Sequence, residues 1–352
     1  MTPPDHPALA ALLGLPAILY GRAVRLRNRL YDRPGLARAA GIPVISVGNL
    51  TVGGTGKTPV VAWLARRLLE DGRRPAVVSR GYGGRAGRGP LMVSRGEGPL
   101  ASAANSGDEP YLLARSEPRL RVVVGSDRHA GAVAAREAGA DVILLDDGFQ
   151  HRRLARDLDI VLLDASNPFG NHRLLPAGLL REPVSGLSRA DVVLITRSRS
   201  DERFSIIERV VTHYCPGGLL LRAGHRGVGF FDAEGRQVPR PERAAAFCGI
   251  GNPNRFRIDL ESEGLVLTSF REFRDHRHYS NAEVEGLSAM AARHHVPLIT
   301  TEKDHVRMVA DGQIESLPQL LTYRIEAEIH DCEPLLQRIH ETISGAARGT
   351  AR

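Results

Sequence analysis

Short apolar runs rich in Val, Ile and Leu recur through the first two-thirds of the chain. They are Pro43-Val44-Ile45-Ser46-Val47, Ala76-Val77-Val78, Val122-Val123-Val124, Val142-Ile143-Leu144-Leu145, Ile160-Val161-Leu162-Leu163 and Val192-Val193-Leu194-Ile195. Such continuous runs predict strands buried on both faces. Several are separated by helical stretches; in the first, Trp63, Leu64, Leu68 and Leu69 point inward from a helix ending near Glu70. The order predicts an α/β fold with a parallel sheet covered by helices. The pattern breaks between Arg222 and Arg243, where Gly224, Gly227, Gly229, Gly235, Pro239 and Pro241 predict a linker. A second α/β pattern follows: Ala245–Cys248 as a strand, residues 280–295 as a helix, and Pro297–Thr300 and Leu321–Ile325 as strands. The expected division is 1–33 as an amphipathic segment, 34–225 as the main domain, 226–345 as a smaller C-terminal α/β domain and 346–352 as a frayed tail.

The N-terminus differs. Ala8 to Tyr20 is a 13-residue stretch, mostly Ala and Leu, too short for the roughly 20 apolar residues that span a bilayer. Its arginines follow the apolar run instead of preceding it, so no cleaved signal peptide is expected. On a helix, Leu19, Ala23, Leu26 and Leu30 share one face while Arg22, Arg25, Arg29 and Arg33 gather along a flank. That pattern suits a helix lying in a membrane interface with arginines at lipid phosphates. The competing reading is an amphipathic helix docked on the protein's own core.

Hydrophobic residues make up 42% and charged residues 25% of the 352 positions, as in soluble globular proteins. Cys215, Cys248 and Cys332 lie far apart with no CxxC pair, which argues against a zinc ribbon or disulfide framework. The formal net charge is +7, which favours acidic partners. Of 47 basic residues only Lys57 and Lys303 are lysine. A lysine kept among so many arginines marks a place where a point charge fits and a planar fork does not.

Lys57 lies in Thr51-Val52-Gly53-Gly54-Thr55-Gly56-Lys57-Thr58, between a predicted strand and a predicted helix. Gly56-Lys57-Thr58 matches the end of a Walker A loop; the first consensus glycine is Thr51, and Gly53 and Gly54 supply the backbone freedom. Such a loop wraps phosphates with backbone N–H groups at a helix N-terminus. Residues 51–58 are thus the expected nucleotide site, with Lys57 on the β- and γ-phosphates and Thr58 on Mg²⁺. The fold expected is a P-loop NTPase-type sheet.

Val142–Leu145 ends in Asp146 and Asp147, where a Walker B carboxylate serves the metal. Asp164 ends a similar strand and reads as structural or as a support behind the site residues. In Gly107-Asp108-Glu109-Pro110, Asp108 is either a helix N-cap or a general base, and local physics favours the cap. Asp275-His276-Arg277-His278-Tyr279 is either a catalytic Asp–His pair or an exposed polar turn; a metal site there lacks a third ligand. Arg181-Glu182 neutralises a transferring phosphate or forms a surface ion pair. Lys303, opening a helix, contacts nucleotide or caps.

Assembled in order, these motifs resemble the tetraacyldisaccharide 4′-kinase (lipid A 4′-kinase) family over nearly the whole chain. Carrying the resemblance are Val47 to Pro59, Ser79-Arg80-Gly81-Tyr82-Gly83-Gly84, Gly107–Pro110, Asp127-Arg128 and Asp146-Asp147-Gly148-Phe149-Gln150-His151. Leu175–Gly178 with Leu180–Pro183, Phe273–Tyr279 and Thr301–Asp304 complete it. The resemblance implies transfer of the γ-phosphate of ATP, with Mg²⁺, to the 4′-hydroxyl of a tetraacylated glucosamine disaccharide 1-phosphate. It implies Asp108 as base assisted by His276, catalytic roles for Lys57 and Arg181, and Asp146, Asp147, Thr58 and Glu182 as metal residues. Arg80, Tyr82 and Arg128 would bind substrate or phosphate. An acylated substrate gives the amphipathic N-terminus a purpose, placing the protein on the cytoplasmic face of the inner membrane as a peripheral or monotopic enzyme. Neither nucleic acid nor an obligate protein partner is expected. The alternatives are a P-loop kinase of a soluble substrate and an ATPase switch of the partitioning or metal-insertion type; the latter commonly has a lysine where this chain has Val52.

Overall fold

The computed structural model describes residues 13–349 except Pro34, Gly83, Arg85, Ala86, Arg88, Arg199, Ser200, His276 and Pro318. The chain begins with α1 (Gly14–Tyr31), then β1 (Val44–Asn49), α2 (Lys57–Glu70), β2 (Pro75–Ser79) and β3 (Leu91–Arg95). There follow α3 (Ala103–Ser106), α4 (Asp108–Ser116), β4 (Arg121–Val124), α5 (Arg128–Glu137), β5 (Val142–Asp146), β6 (Leu158–Asp164) and β7 (Val192–Thr196). The next elements are α6 (Asp201–Tyr214), β8 (Leu219–Phe231), β9 (Gln237–Val238), β10 (Arg243–Cys248), α7 (Pro253–Ser262) and β11 (Val266–Glu272). The last are α8 (Asn281–His294), β12 (Leu298–Thr301), α9 (Glu302–Ala310), β13 (Leu320–Ile329) and α10 (Glu333–Gly349).

Among the described residues the strands form one 13-stranded sheet in the order β11-β10-β12-β13-β8-β7-β6-β1-β5-β2-β4-β3, with β9 beside β8. Pairing is parallel except at β13/β8, β8/β9 and β3/β4. Every residue of β1, β2, β5 and β7 is buried, as unbroken apolar runs require. Val60, Leu64 and Leu68 of α2, Leu113 of α4, and Leu335 and Ile339 of α10 cover one face. Phe149, Leu180, Leu187 and Ile207, with Ala132 and Leu154, cover the other.

The expected linker is a strand instead. β8 runs through 13 residues, so a division at 225/226 falls inside it. Its first part pairs with β7, Leu219 to Ala223, and its later part with β13, Ala223 to Phe231. Two of its glycines answer to packing: a Cβ on Gly227 would lie 2.2 Å from the Tyr323 hydroxyl, and one on Gly229 2.8 Å from Gln237 Nε2. Both α/β patterns thus share one continuous sheet. The helix α10 likewise continues through Gly349, past the point where fraying was expected.

The helix α1 docks by one face and exposes the other. Gly21 and Val24 are buried, and Gly21 faces Leu174. Tyr20 Oη donates to Arg181 O at 2.7 Å, and Asn28 Nδ2 to Glu182 Oε2 at 3.1 Å. Leu15, Ile18, Leu19, Leu26 and Leu30 remain 41–67% exposed, beside exposed Arg22, Arg25 and Arg29. The two sequence readings of this helix are therefore compatible: it is docked, and its apolar ridge is still uncovered. Among the described residues no helix is long and apolar enough to cross a membrane.

Candidate active site

The C-terminal ends of the central strands build the site. β1 ends at Asn49 and the chain turns into the glycine loop, whose Gly53 and Gly56 have φ of +117° and +85°. Gly56 is the N-cap of α2 and supplies no side-chain cap, so the first turn presents backbone N–H groups to an anion. A Cβ on Gly53, Gly54 or Gly56 would meet no described atom within 4 Å, leaving a cradle open on that side. The loop's outer parts are anchored: Val52 N donates to Leu179 O at 2.8 Å, and the Thr196 hydroxyl to Thr55 O at 3.3 Å. Arg197, paired with Asp164, donates to Gly54 O at 3.0 Å. Asp164, expected to be structural, thus steadies the loop through Arg197.

Lys57 Nζ lies 3.4 Å from Asp147 Oδ1 and donates to Asn49 Oδ1 at 3.2 Å. Asp147, at φ +54°, accepts from Arg181 Nη1 through both oxygens, at 2.8 and 2.7 Å. Burial pushes the Asp147 carboxyl up, but Lys57 and Arg181 together hold it below the usual carboxylate value. Asp146 behaves oppositely. It is buried, its Oδ1 has no partner, and burial followed by the charge of Glu109 pushes its pKa up to about 7. The chain's two lysines, Lys57 and Lys303, both offset that rise.

An unpartnered buried carboxylate oxygen beside a phosphate loop fits a hard divalent cation such as Mg²⁺, with Thr58 on the first turn of α2 as a companion donor. Among the described residues no group of three or more His, Cys, Asp or Glu is placed to hold a metal. The unpartnered Asp146 oxygen and the Thr58 hydroxyl suit Mg²⁺, which takes one or two protein ligands and completes its shell with phosphate and water. Glu182, which the resemblance implies as a metal residue, has both its oxygens engaged by protein donors. It is fully buried, and its oxygens accept from Arg189 Nη2 at 3.0 and 2.8 Å, Gln150 Nε2 at 2.8 Å and Asn28 Nδ2 at 3.1 Å. Its carboxylate ties α1 to the loop carrying Arg181.

The raised pKa of Asp146 has a stability consequence. The Asp146 carboxyl ionises near 3.8 when unfolded and near 7 when folded. Below both values it contributes nothing; as pH rises through that window the folded protein is progressively penalised, and fully so above 7. In EDTA, Asp146→Asn should melt roughly 2–6 °C above the parent at pH 8 and level with it near pH 4. Superimposable melting temperatures at both pH values would refute the burial assigned to this carboxylate.

Asp108 is not the N-cap that local physics favours. Gly107, at φ +89°, holds that position, and the Asp108 side chain turns across to Arg307 Nε at 2.6 Å. Gly107 is glycine for a second reason: its Cβ would lie 2.5 Å from Tyr82 O. That contact sets the loop with Arg80 and Tyr82, both exposed, beside Asp108. Arg128 is buried; Nη1 donates to Gly125 O at 2.9 Å while Nε has no partner. Burial and then the charge of Arg80 lower its pKa, with Asp147 and Asp146 opposing, so Arg128 belongs to the same electrostatic neighbourhood. His276 lies outside the described residues. Phe273 and Tyr279 stack edge-to-face at 5.0 Å and each packs on Phe247.

Asn49, Gln150, Arg189, Arg197 and Arg307 escaped the assignment of roles from sequence. Gln150 stood within a quoted motif, and Asn49 ends a buried strand. The arginines carried no signal in an arginine-rich chain: Arg197 and Arg307 act across long sequence separations, and nothing in the sequence marks Arg189 as the partner of Glu182.

Comparison with known proteins gives a consistent result. Residues 9–344 match the family model described as LpxK, tetraacyldisaccharide-1-P 4′-kinase. The tetraacyldisaccharide 4′-kinase of Geobacter sulfurreducens is 45% identical over 309 residues, 86% of this chain and 85% of the relative. That of Halorhodospira halophila is 46% identical over 293 residues, 83% of this chain and 81% of the relative. The crystal structure of LpxK from Aquifex aeolicus in complex with ATP superposes with a TM-score of 0.78 at 32% identity, covering 95% of this chain and 99% of that one.

Proposed function

The chain belongs to the tetraacyldisaccharide-1-phosphate 4′-kinase family, and from that membership we infer that it moves the γ-phosphate of ATP to the 4′-hydroxyl of a tetraacylated glucosamine disaccharide 1-phosphate. The observation that supports this most directly is the meeting of two devices in one place. A phosphate loop with Lys57 lies beside a buried acidic strand end, and the charge of Glu109 reaches that strand end from the helix start where its neighbour Asp108 stands, not used as a cap. A kinase of a sugar hydroxyl needs both: charge for the phosphates, and a base for a poorly nucleophilic alcohol.

In this reading Asp108 accepts the proton as the 4′-oxygen forms its bond to the γ-phosphorus, the bond to the β,γ-bridging oxygen breaks, and ADP leaves. Lys57 neutralises the β- and γ-phosphates. Arg181, held over Asp147, turns to the charge that develops on the transferring group. Thr58 and Asp146 would hold Mg²⁺, which when bound neutralises the phosphate oxygens and polarises the γ-phosphoryl group. His276 assists Asp108, and Arg80, Tyr82 and Arg128 receive the substrate's own phosphate and sugar. The test is transfer of labelled γ-phosphate from ATP to a tetraacyl disaccharide 1-phosphate in detergent micelles. Failure of folded, monodisperse protein to label the lipid would refute the reading, and labelling of a soluble sugar instead would favour a soluble-substrate kinase.

The same reading puts the enzyme on the cytoplasmic face of the inner membrane through α1. Support comes from the uncovered ridge of Leu15, Ile18, Leu19, Leu26 and Leu30 with arginines alongside, and from a substrate whose acyl chains reside in a bilayer. Deleting residues 1–33 is a poor test, because Tyr20 and Asn28 contact Arg181 and Glu182. Changing Leu15, Ile18, Leu19 and Leu26 together to Gln spares those contacts. Sedimentation with anionic vesicles should fall by roughly 10-fold or more. Turnover in micelles should change by less than about 3-fold, since no residue at the phosphates is touched. Unchanged sedimentation would remove the anchor.

A further inference from the structure

Arg307 is 1% exposed in its side chain, one of the largest fully buried side chains among the described residues. Burying a guanidinium is unfavourable unless its charge and donors are met. Here the acceptors come from separate parts of the fold. Nε donates to Asp108 Oδ2 at 2.6 Å, and Nη1 to Gly249 O at 2.7 Å and Asp304 Oδ1 at 2.8 Å. Asp304 is itself fully buried and over-determined, accepting from Tyr279 Oη at 2.7 Å, Thr301 Oγ1 at 2.6 Å and Gly249 N at 3.1 Å. One helical turn before Arg307 on α9, Lys303 pairs with Glu109, the neighbour of Asp108. The two acids that open α4 are thus each gripped by a cation on α9.

The geometry has a direction. Asp304, Gly249 and Tyr279 fix the guanidinium from the C-terminal side, independently of Asp108. The planar fork can then offer Nε to one carboxylate orientation only, which a flexible lysine would not impose. Tyr279 also packs edge-to-face on Phe247 and Phe273. We propose that Arg307 is a positioning residue for phosphoryl transfer: it holds the Asp108 carboxylate ionised and aimed, and so makes the base depend on the packing of β10, β12 and α9. The proposal rests on the reading of Asp108 as the base. It differs from simple adhesion between two parts of the chain, which would predict loss of stability and of all kinetic parameters together.

The test uses the full chain with ATP and the tetraacyl disaccharide 1-phosphate in micelles, comparing R307Q, R307K, D108N and the R307Q/D108N double variant. Thermal melts accompany each. R307Q should lower kcat by about 100-fold while the KM for ATP stays within about 2-fold, the signature of a lost transition-state interaction. R307K, which keeps the charge and loses the fork, should recover about 10-fold of that. The double variant should fall no more than about 3-fold below D108N, because the two groups act as one unit. Multiplicative losses in the double variant, or a raised KM for ATP with kcat intact, would overturn the proposal. If R307Q does not fold, R307K decides alone: a folded R307K with parental kcat shows that the fork is dispensable and overturns it. D108N with parental kcat would remove the base reading itself, an outcome distinct from D108N being inactive and R307Q uncoupled.

Discussion

Lys57→Ala is expected to abolish measurable phosphoryl transfer, a fall of about 10³-fold or more, in a protein that still folds. The ammonium lies at the first turn of α2, within 3.4 Å of Asp147 and 3.2 Å of Asn49. It is therefore already in a polar cluster that a phosphate can enter by exchange. Its removal leaves Asp147 bound to Arg181 through both carboxylate oxygens, so no buried acid is stranded and the melting temperature should move by only a few degrees. Lys57→Arg should fare little better, since the fork needs room that the loop closed by Gly53, Gly54 and Gly56 gives to phosphate. Calorimetric titration with ATP would separate lost binding from lost chemistry. Retention of a tenth of parental turnover by Lys57→Ala would discard the role assigned to it.

The second large effect concerns Asp108. Asp108→Ala should lower kcat by about 10²–10⁴-fold, the range of general-base removal, with the Kd for ATP within about 3-fold of parental. Had Asp108 been the N-cap, alanine would cost about 1 kcal/mol of stability and the kinetic loss would follow from unfolding. Gly107 occupies the cap, so that route is closed. Arg307 loses one partner but keeps the fully buried Asp304, so its charge stays neutralised and the fold survives. Pre-steady-state transfer in a single turnover is the measurement. An unimpaired chemical step with slowed product release would move Asp108 out of the chemistry.

Both predictions rest on residues that were legible as types before they were placed. Asp108 was legible as a residue of interest, and its local setting argued for the wrong role. A glycine next to an aspartate at a helix start reads as Asp-capped, because sequence does not show that the glycine has taken the left-handed cap conformation against Tyr82. Glu182 shows a related limit. Residue order offered Arg181-Glu182 as a surface ion pair, yet Glu182 is buried and its oxygens accept from Arg189, Gln150 and Asn28. The glycines of β8 failed as a linker because glycine marks close approach as readily as flexibility.

Sequence by itself determined the buried strands and the order that makes the sheet parallel, because unbroken β-branched runs admit few other environments. It also determined the phosphate loop, whose backbone requirements are local, and the amphipathic face of α1, whose period is local too. Tertiary structure alone decided which carboxylate has its pKa raised and which has it held below the usual value, since Asp146 and Asp147 are chemically identical neighbours separated only by burial and by the reach of Lys57 and Arg181. It alone joined the two halves into one sheet and brought Arg307 to Asp108 across 199 positions. Charge–charge contacts and desolvation depend on distance in space, and a residue's spacing along the chain says nothing of that until the strands have paired.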